Sequence, residues 1–307
     1  MDGVLVIDKP EGPTSHDVVA MVRRALGEKR VGHTGTLDPL ATGVLPLVLG
    51  RATRLVRFLT ASDKDYEATV LFGVTTDTLD VTGEETSRSG ASPSRDALAA
   101  ALRAFEGEQM QVPPAYSAKK VGGRRAYDFA RQDEPVELAA VPVRVSRLEL
   151  VDFGNNRCRL SLTSSAGFYV RSLVRDLGER CGTGATLEAL RRTRSGEFTI
   201  DEAVPLDAVR RTRLEPSDPG SRIQDPAVAA LLIPMERLLP DLPAVTVTAE
   251  GLTRVSHGQH VRPADMSGAM PPGSSGWIRV LDAGGALVAL GTPQRASGAL
   301  HPEVVLI

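Results

Sequence analysis

GHTGTLDPLATG, residues 32–43, sets three glycines and a histidine around an aspartate that precedes proline. A loop this rich in glycine brings backbone close to something, and Pro39 pushes Asp38 out of helical geometry toward an extended one. A carboxylate so placed is either a turn-former or a reacting group. For Asp-Pro pairs at large the turn is the commoner. On the N-terminal side, Val4–Ile7 reads as a short buried strand, ended by Lys9-Pro10 and Gly12-Pro13. A helix follows, with Ser15 as N-cap, Asp17 in the first turn, Val18, Val22 and Leu26 at four-residue spacing, and Gly27 as its stop. On the C-terminal side, Leu45–Leu49 reads as a buried strand and Ala52–Leu59 as a helix showing Arg54 and Arg57 to solvent.

Further out, Tyr66–Phe72, Val141–Val151 and Arg157–Thr163 read as strands, whereas Ser94–Phe105, Tyr169–Cys181 and Thr186–Arg194 read as helices. Met110–Arg125 has no clear period, and Tyr127–Arg131 resumes a short helix. Helices and strands mix without a βαβα rhythm, so the expected class is α+β, built on a mixed, largely antiparallel sheet. Residues 212–225, rich in Pro, Ser and charge, read as a linker. Beyond Pro243, short strands at Ala244–Val247, Trp277–Leu281, Leu287–Leu290 and Glu303–Leu306 predict a small β-rich unit. The expected division is 1–235 and 240–307.

Composition narrows the function. The 307 residues are 42% hydrophobic and 24% charged, enough to bury a core, and no apolar run approaches the ~18 residues of a membrane span. The first ten residues, MDGVLVIDKP, do not read as a signal peptide, so a cytoplasmic protein is expected. Cys158 and Cys181 have no metal-ligand spacing and read as core thiols, and His257 and His260 lack a third ligand nearby. Phosphate-loop, dinucleotide and serine-nucleophile motifs do not occur. The expectation is a reaction without metal or cofactor, built on a carboxylate. The formal net charge is −2, yet Ser15–Phe58 carries seven basic residues against three acidic, and Gln111–Arg131 five against one. Each cluster is either a solvated face or a phosphate track.

GHTGTLDPLATGVLPL closely resembles the catalytic motif of TruB-type pseudouridine synthases, which isomerise a uridine in the T loop of tRNA. Five further stretches resemble that family in order: VIDKPEGPTS (Val6–Ser15), DKDYEATVLFG (Asp63–Gly73), PPAYSAKKVGGRRAYDFAR (Pro113–Arg131), SAGFYVRSLVRDLG (Ser165–Gly178) and LEALRRTRSGEF (Leu187–Phe198). The resemblance implies a catalytic domain with an RNA-gripping insertion at about 107–140. More loosely, it implies a PUA-like RNA-binding tail. It implies that Asp38 is the essential aspartate, that Tyr66 stacks on the target base, and that Arg171 pairs with Asp38. His33 would contact the T loop, Lys9 and Pro10 would support the site, and Leu190 would line the base pocket. Lys119, Lys120, Arg124 and Arg125 would grip phosphates.

The chemistry suits these residue types. Making pseudouridine breaks the N–C glycosidic bond, turns the uracil and joins its C5 to the sugar, so nothing is oxidised or imported. An ionised carboxylate near C1′ and C2′ serves as nucleophile or as base, and a buried one stays charged beside a cation. Uracil must first be extruded from its stack, at a cost of a few kcal/mol. The implied partner is the tRNA T-stem-loop, bound by a monomer. Two other readings use the same residues: a tRNA chaperone without catalysis, and a guide-RNA-dependent synthase. The insertion favours the stand-alone enzyme.

Overall fold

The computed structural model describes residues 1–117, 119–130, 132, 137–211, 230–271, 275–294 and 296–307. The first third of the chain runs β1 (Gly3–Lys9), α1 (Ser15–Leu26), β2 (Val31–His33), β3 (Thr42–Leu49), α2 (Val56–Thr60), β4 (Lys64–Phe72), β5 (Val74–Thr76), β6 (Glu85–Arg88) and α3 (Arg95–Arg103). Next come β7 (Gly107–Gln111), the hairpin β8 (Lys120–Val121) and β9 (Arg124–Arg125), α4 (Ala126–Ala130), β10 (Val141–Gly154), β11 (Arg157–Ser164), α5 (Val170–Arg180) and β12 (Ala185–Ser195). The remainder is β13 (Phe198–Thr199), β14 (Val204–Pro205), α6 (Leu206–Arg211), β15 (Ala244–Thr246), α7 (Ala249–Ser256), β16 (Ile278–Leu281), β17 (Leu287–Gln294) and β18 (Ala299–Val305). The expected linker at 212–225 lies outside the described residues.

Ten strands form one mixed sheet, ordered β14-β1-β3-β12-β4-β11-β10-β7, with β2 beside β3 and β13 beside β12. Its pairings are antiparallel except β1–β14 and β3–β12. The α+β expectation therefore holds. Buried runs in β1 and β3 require cover on both faces. On one face lie Leu5, Ile7, Leu45 and Leu47 with α1 and α5; on the other, Val4, Val6, Val44 and Val48 meet Leu287 and Leu290 of β17 and Leu306, just past β18. The C-terminal strands form a second sheet, β15-β16-β17-β18, with its own core around Val255, Ile278 and Leu300. The sequence missed α7, an eight-residue helix capped by Thr248.

Two expectations need correction. Thr186–Arg194 is not a helix but the central strand β12, between β3 and β4. Its good helix formers and three-residue Leu187–Leu190 spacing suggested a helix. Bulges at Leu187/Ala189 and Arg192/Arg194 reset the alternation, so Leu187, Leu190 and Arg192 pair with Val70, Ala68 and Tyr66 on one face. The cap of α1 is Thr14, whose side chain and Asp17 form a reciprocal capping box. Ser15, one residue further on, is buried and bonded elsewhere.

Arg54 and Arg57 are exposed as expected, but engaged. Arg54 donates to the Val305 carbonyl, and the Arg57 guanidinium lies 4.7 and 4.9 Å from the Phe58 and Trp277 rings.

Candidate active site

The 32–43 loop is pinned from three sides. The Ser15 hydroxyl accepts from Leu37 N–H at 2.8 Å and donates to the Leu37 carbonyl at 3.0 Å. Lys9 Nζ, fully buried, donates to the carbonyls of Pro10 (2.8 Å) and Pro39 (3.3 Å). Arg192 donates to Gly35 and Thr36 carbonyls at 3.0 and 3.4 Å. The loop enters β3 at Gly43, whose φ is +98° and where a Cβ would lie 2.2 Å from the Arg192 carbonyl oxygen. Only glycine lets β3 begin this close to β12.

Asp38 meets its cation across 133 positions of sequence: Arg171 Nε donates to Asp38 Oδ2 at 2.8 Å. Arg171 sits in the first turn of α5, its side chain 5% exposed against 36% for Asp38, so the carboxylate keeps an open side. The remaining guanidinium donors go to the Thr78 and Tyr116 carbonyls at 2.9 and 2.8 Å, and Asp80 lies 3.9 Å away. Buried Gln111 brackets the start of α5, accepting from Tyr169 N–H at 2.8 Å and donating to the Tyr169 carbonyl at 3.1 Å.

Two cavities share this ion pair as a wall. One, of about 250 Å³, is lined by Asp38, Lys64, Tyr66, Tyr169, Leu190 and Arg192 among others, including residues 165–168. The other, of about 520 Å³, is lined by His16, Thr78, Asp80, Tyr116 and Tyr127. The first holds an aromatic ring, an aliphatic side chain and a carboxylate in a space that suits a flat heterocycle. Lys64 and Arg192 make part of its lining cationic. Burial, reinforced by Arg192, lowers Lys64 to about 8; burial likewise lowers Lys9 to about 8, although Asp38 and Glu11 oppose it. Arg192 is itself pushed down by burial, with the Tyr66 hydroxyl acting in the other direction. Burial raises the Tyr169 phenol, with the Asp38 charge acting in the same direction and Arg171 in the other.

The residues singled out from sequence thus fall into groups. Asp38, Arg171, Tyr66 and Leu190 line the smaller cavity. Lys9 and Pro10 lie behind its loop. His33 is half-buried at the end of β2; its Nδ1 accepts from Gly35 N–H at 3.3 Å, and its ring stands edge-on to His16 at 5.5 Å. Burial, then the charges of His16 and Arg192, lowers it to about 4, so it is neutral near pH 7. Lys119, Lys120, Arg124 and Arg125 belong to the β8–β9 hairpin, turned by Gly122 and Gly123 at φ +57° and +89°. Arg124 donates to Gln132 at 2.9 Å and lies 4.2 Å from the Phe129 ring; the side chains of Lys120 and Arg125 are outside the described residues. The hairpin's root reaches the site through Tyr127 N–H, which donates to the Ser117 carbonyl at 3.1 Å.

Lys64, Arg192, Tyr169 and Asp80 were not singled out from sequence. Lys64 could have been: it stands two residues before Tyr66 in an alternating strand, hence on the same face. Cys158 is buried, which pushes its thiol up to about 12. His257 Nδ1 lies 2.8 Å from the Thr253 carbonyl, and the His260 ring stacks on His301.

Comparison with known proteins gives these features a context. The profile of the TruB family pseudouridylate synthase (N terminal domain) matches residues 23–170, and that of the tRNA pseudouridylate synthase B C-terminal domain matches 171–240. The chain is 44% identical over its whole length, and the whole of the relative, to tRNA pseudouridine synthase B of Solibacter usitatus. It is 42% identical to the protein of that name from Gluconacetobacter diazotrophicus, covering all of this chain and 97% of the other. Among solved structures, one of a Cbf5-Nop10-Gar1 complex superposes with a TM-score of 0.71 at 26% identity, covering 99% of this chain and 85% of that one.

Proposed function

Because the chain belongs to the TruB family of pseudouridylate synthases and is thus an isomerase, we propose that it converts a uridine of the tRNA T loop to pseudouridine at the cavity beside Asp38. One observation carries the assignment of the site: the Asp38–Arg171 pair, whose carboxylate keeps an open side on a cavity that also holds Tyr66 and Leu190. A partly desolvated carboxylate, fixed by a guanidinium that is itself fixed by two carbonyls, is preorganised to act at C1′ or C2′. Attack at C1′ and proton removal at C2′ both leave the uracil free. The ring of Tyr66 stacks on the base as it turns, and Leu190 fills the opposite edge. His33, neutral and planar, faces the bases of the loop. The β8–β9 hairpin holds phosphates, and the small C-terminal sheet, read as a PUA-like unit over 240–307, adds RNA contacts. The protein acts on tRNA as a monomer, in the cytoplasm.

Incubating the protein with an unmodified tRNA transcript and mapping the product tests this directly. We expect pseudouridine in the T loop, and binding without pseudouridine from Asp38→Asn. Turnover by that variant would remove Asp38 from its role. Refolding of tRNA by a chain that never yields pseudouridine would instead support the chaperone reading.

A further inference from the structure

We infer that Lys64 holds the uracil as an anion after it has left the sugar. The inference rests on the function proposed above. Its basis is a mismatch of charge. Asp38 is already matched by Arg171. Arg192, one of the largest fully buried side chains, is held by the carbonyls of Val44, Thr36 and Gly35 and has no carboxylate within ion-pair distance among the described residues. Lys64, 6% exposed, donates to the carbonyls of Thr60 and Ser62 and likewise forms no ion pair among those residues. The two acids flanking it in sequence, Asp63 and Asp65, pair with Arg144 at 3.4 Å and with Arg194 at 2.7 Å.

Lys64, Tyr66 and Arg192 lie on one face of the sheet, because Tyr66 is the cross-strand partner of Arg192 and Lys64 that of Ser195. All three line the cavity that the Asp38–Arg171 pair also lines. Two desolvated cations without an anion are costly to keep unless the working state supplies one. The reaction does so. When the C1′–N1 bond breaks, its electron pair stays with the base and spreads over N1, O2 and O4. Bond formation from C5 to C1′ then uses that charge, and a proton passes from C5 to N1, so the product is an isomer of the substrate. A cation facing the ring carbonyls stabilises the charge only while the base is detached, which is where binding energy raises the rate.

The experiment compares single-turnover consumption of uridine and of 5-fluorouridine at the target position of a T-stem-loop RNA. Fluorine withdraws electrons from the ring and stabilises its anion, so cleavage of the fluorinated nucleoside needs the lysine less. Lys64→Gln should slow the uridine reaction by about a hundredfold, slow the 5-fluorouridine reaction several-fold less, and bind RNA as the wild type does. Lys64→Arg should recover most of the uridine rate. Equal proportional losses on the two bases, or a wild-type rate from Lys64→Gln, would overturn the assignment. The ratio of losses is internal to each variant and does not depend on the fraction folded. Lys64→Met, which keeps most of the stem, supplies it if Lys64→Gln melts early. Wild-type protein that leaves uridine unchanged would sink the proposed function itself, so the two failures are separable.

Discussion

Arg171 does more than balance a charge. Its guanidinium joins the Asp38 loop, the Thr78 turn and the root of the hairpin at Tyr116, so its fork geometry matters as much as its sign. Arg171→Lys keeps the positive charge and loses the fork; pseudouridine formation should fall by at least about tenfold, because a small misplacement of the carboxylate is costly. Arg171→Met should abolish most activity. Since Asp38 stays partly open to water, its stability cost should remain below the ~3 kcal/mol typical of a broken buried pair; urea melts and product mapping check both. Lys64 gives a pH signature. With its midpoint near 8, set by burial and by Arg192 with Asp63 opposing, the cation is lost above that pH. The wild-type rate should therefore decline above about pH 8, and Lys64→Arg should remove that limb. Asp38 and its distant arginine were legible in the sequence because each stands in a dense, distinctive motif. Lys64 was legible only as far as its face, which it shares with Tyr66 two residues on; its burial leaves no mark in an alternating strand.

Strand β12 brings these side chains together. Its bulges turn residues spaced three apart onto one face, which local propensity read as a helix; pairing with β3 and β4 overrides that preference. Strands β1, β3, β4, β10 and β11 were visible from alternation or continuous burial, whereas the short β2, β7, β13 and β14 were not; nor was the order of the sheet, because pairing across more than a hundred positions leaves no periodic trace. Gly43 is the joint where β3 meets β12. In Gly43→Ala, the strained φ and the clash with the Arg192 carbonyl should lower stability by about 2 kcal/mol or more and shift Arg192; thermal melting and turnover measured together test the coupling. The hairpin makes a different prediction. Neutralising Lys119, Lys120, Arg124 and Arg125 should weaken tRNA binding and flatten its salt dependence by about one unit of slope for each phosphate no longer neutralised. An unchanged slope would mean that the phosphates are held by other parts of the protein.

The chain as a whole is nearly neutral, so its cations are a matter of placement. Lys9 and Lys64 are held near 8 in the folded protein against an ordinary 10.5. Between those values the unfolded chain binds more protons, and stability rises with pH wherever that is so. The penalty for burying these ammonium groups is thus present below about pH 8 and relieved by pH 10.5. Urea midpoints of wild type and Lys64→Met, measured across that window, should shift in favour of the wild type as pH rises. Constant separation of the two curves would mean that Lys64 titrates alike in both states. The molecule's strand order carries one last consequence. β12 is translated after β1, β3, β4, β10 and β11, yet it is inserted between β3 and β4. Until Ser195 clears the ribosome, the nascent polypeptide exposes two unpaired sheet margins, the kind of surface that invites aggregation during synthesis. Competence for the reaction therefore arrives late and in a single event, when one strand closes the gap.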